Sequence, residues 1–346
     1  MRKIIISFII IVLTVSPVSA TEFTAPAVPE QAQEYIPDTV TTFGEGLWYI
    51  LKMAVTKFQP SIAQAAGICL SLIGICLLIS IVQTLSGESQ KIVSLTGTVA
   101  VGILLLKPTN TLIGLGTTTV TALSEYGKLL LPVMTAAMAA QGGATTSAAL
   151  YTGTVLFDSL LSAVISKLIV PMLYMYLCLC VANSATGASM LKSIRDFIKW
   201  AMTWCLKLLL YVFTGYIGIT GVVSGTADAA AVKAAKLAIS GAVPVVGSIL
   251  SDASETILVS AGLMKNAAGV YGVLAILATW IGPFIQIGIQ YIFIKITAAV
   301  CGVTGTKEVS SLVQDFSGAM GFVLAMTGTV CLFLLISVVC FMKGIG

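Results

Sequence analysis

The chain has 346 residues, of which 58% are hydrophobic and only 9% are charged, and its mean hydropathy is +1.04. Soluble globular domains usually carry about 25% charged residues, so this composition excludes a water-soluble protein and predicts a chain embedded in lipid. The net charge of +4 is small and scattered along the chain, which argues against nucleic-acid binding.

The first 20 residues have the parts of a secretory signal peptide. Two basic residues precede the apolar run Ile4–Val15, and the small residues Val18–Ala20 follow it. A helix of about 12 residues spans about 18 Å, which is short of the roughly 30 Å hydrocarbon core of a bilayer. We therefore predict a cleaved signal peptide over residues 1–20, with an uncleaved anchor as the alternative. Residues 21–59 are then an extracytoplasmic N-terminal segment, and residues 60–346 a multi-pass membrane domain.

The first membrane crossing is predicted at Ala65–Leu85, which contains no charged residue. A short polar turn follows, and we expect it to be cytoplasmic. The next apolar run, Ile92–Leu106, is short, and the pair Lys107-Pro108 is expected to end it. The runs up to residue 143 are also too short or too polar to cross alone. This pattern predicts broken or re-entrant helices, which are tolerated only where they are buried in protein or line water.

A basic amphipathic stretch follows the apolar run Leu168–Val181. Lys192, Arg195 and Lys199 are interleaved there with large apolar residues such as Trp200. Stretches of this kind lie at the membrane interface, and their excess of positive charge favours the cytoplasmic side.

Residues 224–255 combine an Ala-rich helical pattern with Gly and Pro interruptions. The polar positions in this stretch that could line a conduit or a helix contact are Asp228, Lys233, Lys236, Asp252 and Glu255. Helix, break, short helix, break and helix is the pattern of a re-entrant hairpin or an interfacial loop. An ordinary extramembrane loop is the alternative reading.

The last third of the chain contains apolar runs of crossing length, among them Pro283–Val300 and Gly321–Val339. Between these two runs, residues 304–316 carry Asp315 and other charges and are expected at the interface. We predict five to seven crossings in total. The fold class is therefore all-α, a polytopic helical membrane protein with short, broken or re-entrant helices.

The sequence offers no catalytic centre and no metal or cofactor site. It has no histidine, which excludes Ser-His-Asp and Cys-His catalysis and most imidazole metal centres. It also has no phosphate-binding G-x-x-x-x-G-K-[ST] loop. Its eight cysteines form no C-x-x-C pair and read as small apolar side chains. We predict a protein that is not an enzyme and binds no cofactor.

Several polar groups lie inside apolar runs, where a charge costs at least about 2.5–3.5 kcal/mol at mid-bilayer. Asp158 and Lys207 lie deepest in their runs, and we expect them to face a protein interior or a water path. Gln286 and Gln290 lie four residues apart on the same predicted helix as Lys295, so they would give that helix a polar stripe. These groups are candidates for a conduit or for polar helix packing.

Three stretches of the sequence resemble one known family. They are the segment from Gly215 that reads GYIGITGVVSGTADAAAVKAAKLAISGAVPVVGSILSDASETIL, the residues Leu263-Met264-Lys265-Asn266 that follow it, and the upstream LLLPVMTAAMAAQGG of Leu129–Gly143. Together they are similar to the stage III sporulation protein AE family of endospore-forming Firmicutes.

The resemblance implies a location and a set of partners. The protein would lie in the mother-cell membrane around the engulfed forespore, in a multi-protein, secretion-like channel that joins the two cells. Its partners would be membrane lipid, the other stage III A sporulation proteins and, across the intermembrane space, the forespore stage II Q protein. The alternative, favoured by the interrupted segments and membrane charges, is a stand-alone secondary transporter or permease.

Overall fold

The computed structural model describes residues 26–36, 43–86, 89–140, 144–219, 267–304 and 307–343. The predicted signal peptide and the stretch 224–255 lie outside these ranges. The helices in the described ranges, in chain order, are α1 Glu30–Gln33, α2 Phe43–Thr56, α3 Phe58–Leu85, α4 Gln90–Ala140, α5 Ala144–Val164, α6 Val170–Thr186, α7 Ser189–Ile219, α8 Ala267–Thr304 and α9 Lys307–Lys343. The described ranges contain no strand, which confirms the predicted all-α fold.

Six helical stretches of the described chain are long and apolar enough to cross a membrane. They are Phe43–Leu85, Gln90–Ala137, Ser147–Thr186, Ser189–Gly218, Gly269–Val303 and Lys307–Met342. Their length and composition confirm a multi-pass helical membrane protein, and their number lies within the predicted range of five to seven.

Helix α9 is the centre of the bundle. Every residue from 319 to 335 is buried, although the segment is as apolar as a lipid-facing helix would be. Helices α8 and α4 make the most extensive contacts with α9, and α6, α5 and α7 also pack against it. A helix that is apolar on all sides is stable here because other helices, rather than lipid, surround it.

The predicted end of a helix at Lys107-Pro108 is wrong. Helix α4 continues through Pro108 and through Pro132 for 51 residues. A proline inside a helix removes one backbone hydrogen bond, but packing against neighbouring helices can compensate for that loss. Close packing of α4 on α9 is visible at Gly116, where an added Cβ atom would lie 2.4 Å from Val323 Cγ1. The short apolar runs of this region are therefore parts of one long helix.

Helices α5 and α6 are joined by a π-helical turn rather than by a break. This turn covers Ile165–Ile169 and contains Lys167, and Pro171 follows at the start of α6. Proline has no backbone N–H to donate to the carbonyl four residues earlier, so the wider π pattern begins where the α-helical pattern cannot be kept. Helices α5 and α6, with this turn between them, therefore form one continuous helical rod.

Helices α4 and α6 are antiparallel. Gly102 packs against Val181, while the Tyr174 hydroxyl donates a hydrogen bond of 2.6 Å to Asn110 Oδ1 further along α4. The turn after α3 and the turn before α7 therefore lie at the same end of the bundle. The sequence predicts both turns to be cytoplasmic, and their common side agrees with that prediction.

The segment before the first long helix packs on α8. Ala32 in the single turn α1 is fully buried, and the Tyr35 hydroxyl lies so close to Gly282 that an added Cβ atom there would be 2.8 Å from it. Burial raises the pKa of Tyr35, and Lys57 Nζ lies 5.3 Å from the centroid of its ring. The domain boundary predicted between residues 59 and 60 falls inside the first turn of α3.

Candidate functional site between the helices

Asp158 is a carboxyl group in the interior of the helix bundle. It lies on α5, and only 2% of the residue is exposed. The Ser124 hydroxyl of α4 donates a hydrogen bond of 2.6 Å to Asp158 Oδ2. The other oxygen, Oδ1, has no hydrogen-bond partner among the described residues. A buried polar atom without a partner costs free energy, so Asp158 is a group whose presence packing alone does not explain.

The helices that carry Ser124 and Asp158 also pack closely against other helices of the bundle. At Gly127 of α4, an added Cβ atom would lie 2.6 Å from Leu334 Cδ2 of α9. At Gly153 of α5, it would lie 2.2 Å from the ring of Tyr216. These glycines let α4 and α5 approach their neighbours closely, and Ser124 and Asp158 meet where α4 and α5 pack together.

Lys207 does not pair with Asp158. It is half-buried on α7, and it forms none of the ion pairs found among the described residues. The structure therefore does not unite the two deepest charges of the sequence in one site. The expectation that each faces a protein interior or a water path stays a prediction for Lys207.

The polar residues of α8 lie on different sides of that helix. Gln290 is buried, and its Nε2 has no hydrogen-bond partner among the described residues, whereas Gln286 is half-buried. Lys295 is exposed, donates a hydrogen bond of 3.1 Å to the Tyr291 hydroxyl and lies 5.3 Å from the centroid of that ring. Of the predicted polar stripe, Gln290 thus lies inside the bundle and Gln286 lies at its edge. Lys295 lies on the outer surface of the bundle. The other candidates, Asp228, Lys233, Lys236, Asp252 and Glu255, lie outside the described residues.

A largely buried ion pair joins two residues that the sequence analysis did not pair. Arg195 Nη1 on α7 lies 2.6 Å from Asp315 Oδ2 on α9. The same guanidinium donates to Asp196 Oδ1 from Nη2 at 2.8 Å and from Nε at 3.0 Å. The side chains of Arg195 and Asp315 are 11% and 15% exposed, so little water screens their contact.

This cluster has a further neighbour on α6. The Tyr176 hydroxyl is 3.4 Å from the backbone oxygen of Asp315, and the ring of Tyr176 packs edge-on against Phe322 with centroids 6.2 Å apart. The Arg195 cluster, which we define as Arg195, Asp196, Asp315 and Tyr176, therefore fastens α6, α7 and α9 to one another. The sequence signal was present as opposite charges in two segments expected at the interface, but only the fold shows that these segments meet.

The chemistry available to these groups is limited. No group of three or more His, Cys, Asp or Glu residues that could hold a metal ion occurs in the described part of the chain. The eight cysteines are free thiols, and six of them are buried. The Arg195 cluster fixes helices, whereas Asp158, with one unused oxygen, is the described group best placed to bind a proton or a small cation.

Comparison with known proteins identifies relatives of the whole membrane region. The family model described as "Stage III sporulation protein AE (spore_III_AE)" matches residues 32–344. A curated "Stage III sporulation protein AE" from Bacillus subtilis (strain 168) is 21% identical over 235 residues, which cover 68% of this chain and 59% of that protein. The chain thus spans less than two thirds of the relative's length. No solved structure matches the chain.

Proposed function

The chain belongs to the stage III sporulation protein AE family, and from that premise we propose that it is a membrane subunit of a secretion-like channel complex between mother cell and forespore. Its role in sporulation follows from the family. We further propose that it supports the development of the forespore after engulfment. The observation that carries it is the family match over residues 32–344, which contain all six helical stretches long enough to cross a membrane.

The proposed place of action is the mother-cell membrane around the forespore. The proposed partners are the other stage III A sporulation proteins and, across the intermembrane space, the forespore stage II Q protein. A multi-pass architecture supports such a place, because crossing helices can present surfaces both to other membrane proteins and to the space between the two membranes.

The packing of the helices supports a role in assembly. Helix α9 is enclosed by its neighbours, and the Arg195–Asp315 contact holds α7 to it. Helices α3 and α7, in contrast, expose large apolar side chains such as Leu70 and Trp204. A rigid centre with exposed outer helices is the arrangement expected of a subunit that binds lipid and other membrane proteins on its outside.

Co-purification from sporulating cells tests this proposal. A tagged copy of the protein is cross-linked after engulfment, solubilised in mild detergent and captured, and the captured proteins are identified by mass spectrometry. We expect other stage III A proteins and the stage II Q protein to be enriched over an untagged control. Capture of the protein without any of them would contradict the proposal.

A stand-alone transporter is the second candidate function. It is favoured by one observation, the carboxyl of Asp158, which is buried between helices with one oxygen unpartnered. The purified protein in liposomes separates the two functions. The channel-subunit proposal predicts no substrate uptake or ion flux by the protein alone, whereas a transporter requires it.

A further inference from the structure

The polar contacts of the Asp158 side chain are too few for a buried carboxylate. Only 2% of the residue is exposed, and the side chain has one hydrogen bond among the described residues, in which Ser124 Oγ lies 2.6 Å from Oδ2. Oδ1 has no partner there. A carboxylate accepts hydrogen bonds at both oxygens, and a single neutral donor leaves most of a buried negative charge uncompensated. These contacts therefore favour the uncharged form of the carboxyl group.

No cation of the described chain neutralises Asp158. None of the ion pairs among the described residues includes it. Lys128 is the lysine whose charge acts on Asp158, and it lies on α4 one turn beyond Ser124. Its side chain is exposed, however, so its ammonium group stays hydrated at the surface. A hydrated ammonium group does not offset the cost of removing a carboxylate from water inside the bundle.

Asp315, another largely buried carboxyl group of the described chain, has the contact that Asp158 lacks. Its side chain is 15% exposed, and its Oδ2 lies 2.6 Å from Arg195 Nη1. An opposite charge at this distance stabilises the ionised form of a carboxyl group. The two aspartates are therefore expected to differ in charge, although both lie between helices.

The surroundings of Asp158 fit a proton better than a metal ion. Ca²⁺ and Mg²⁺ are held by about six oxygen atoms or more. The polar partner of the Asp158 side chain is a single hydroxyl group, and the described part of the chain contains no cluster of three or more His, Cys, Asp or Glu residues suited to a metal. A proton needs no further ligand, and it removes the buried charge.

The contact with Ser124 is compatible with a protonated Asp158. A serine hydroxyl can both donate and accept, so the hydrogen bond persists when its direction is reversed. The protonated Oδ2 then donates to Ser124 Oγ, and Oδ1 becomes a neutral carbonyl oxygen. A buried carbonyl oxygen without a partner is tolerated more readily than a buried charge. Protonation thus accounts for the oxygen of Asp158 that has no partner.

We propose that Asp158 is a proton-binding site, and that its carboxyl group carries a proton in the folded protein at neutral pH. Loss of this proton creates a charge at the contact between α4 and α5, so the packing of these two helices depends on the protonation of one side chain. This inference rests on neither candidate function, because it concerns one group of the folded chain in any membrane that contains it.

Infrared spectroscopy of the full chain in lipid bilayers tests the protonation state directly. The C=O stretching band of a protonated carboxyl group is separate from the bands of a carboxylate. At neutral pH, the spectrum of the wild type minus that of Asp158→Asn is expected to contain one protonated-carboxyl band. The same difference for Asp315→Asn, the matched control, is expected to contain carboxylate bands. Carboxylate bands alone in the Asp158→Asn difference would overturn the proposal.

The pH dependence of folding is an independent test. In the unfolded chain Asp158 is in water and is ionised above about pH 4, so folding takes up one proton at neutral pH. The folding equilibrium constant of the wild type, divided by that of Asp158→Asn, is therefore expected to fall about tenfold per pH unit between about pH 5 and 7. Unfolding in mixed micelles measures both constants. A ratio that is constant or that rises with pH would contradict a bound proton.

The comparison isolates Asp158 because the two proteins share every other titratable group, and the contributions of the shared groups cancel in the ratio. The titratable side chains of α5 and of the helices around this part of it are Tyr151 of α5, Glu125 and Lys128 of α4, Lys207, Tyr211 and Tyr216 of α7, and Cys331 of α9. Ser124→Ala keeps the carboxyl group and removes its hydrogen bond. This variant is expected to retain the tenfold dependence, and its loss there would assign the proton to the Ser124 contact rather than to burial.

Discussion

Arg195 on α7 and Asp315 on α9 are 120 residues apart in sequence, and their charged atoms lie 2.6 Å apart in the fold. Arg195 lies in the second turn of α7 and Asp315 in the third turn of α9, near the connection that joins α6 to α7. Because α9 is the buried centre of the bundle, this ion pair fastens an otherwise exposed helix to the core. It is a structural element of the protein rather than a reactive site.

Removal of one partner of this pair is expected to destabilise the protein. Asp315→Leu leaves the buried guanidinium of Arg195 with only the half-exposed Asp196, so we expect a loss of about 3 kcal/mol in the free energy of unfolding. Unfolding in mixed micelles measures this change. The double variant Arg195→Leu/Asp315→Leu is expected to lose less than the sum of the two single changes. Strict additivity would contradict a direct interaction.

Close packing of α4 on α9 is tested by a pair of glycine substitutions. Gly116→Ala places a Cβ atom 2.4 Å from Val323 and 2.8 Å from Met326 in the buried centre. We expect a destabilisation of about 1–3 kcal/mol from overpacking. Gly74→Ala on α3 is the matched control, since its added Cβ would meet no atom within 4 Å. Equal unfolding temperatures for the two variants in the same detergent would refute the close contact.

Asp158 is tested with a substitution that preserves its shape. Asp158→Asn keeps an oxygen that can accept the hydrogen bond from Ser124, but the side chain can no longer carry a negative charge or exchange a proton. We expect normal amounts of the protein in the membrane together with a lower spore yield. Ser124→Ala, which retains the carboxyl group, is expected to have the smaller effect. A normal spore yield from Asp158→Asn would assign this residue a purely structural role.

Chemical labelling tests the prediction that the starts of α4, α7 and α9 lie on the same side of the membrane. Ser89, Ser189 and Glu308 are exposed at the start of α4, α7 and α9. We expect cysteines at these three positions to react with a membrane-impermeant maleimide only after the cytoplasmic side has been opened. Thr56→Cys, at the end of α2 next to the start of α3, is the control and is expected to react in intact cells that produce the protein without a forespore. Labelling of the three positions from different sides would contradict the antiparallel order of the helices.

The sequence predicted those features of the fold that depend on local composition. Ala65–Leu85 lies within helix α3, and the charge-poor composition predicted the multi-pass helical class. Both follow from the cost of placing charges in hydrocarbon, which each segment carries independently of its neighbours. Asp158 was also recognised as a deep charge from its apolar surroundings alone.

Features that depend on contacts between distant segments could not be predicted in the same way. Pro108 reads as a helix end from local rules, but packing of α4 on α9 keeps the helix continuous through it. Arg195 and Asp315 were both assigned to the interface, yet nothing in either segment specifies the other as its partner. The burial of α9 could not be predicted from the sequence either, because an apolar segment has the same composition whether lipid or protein surrounds it.

Deletion of the gene in the spore-forming host is the most direct measurement of the proposed role of this membrane protein in sporulation after engulfment. Growth rate, completion of engulfment and the yield of heat-resistant spores are recorded, with the gene restored at another locus as the control. We predict normal growth, completed engulfment and a loss of mature spores that the restored gene corrects. A normal yield of heat-resistant spores from the deletion strain would contradict the account.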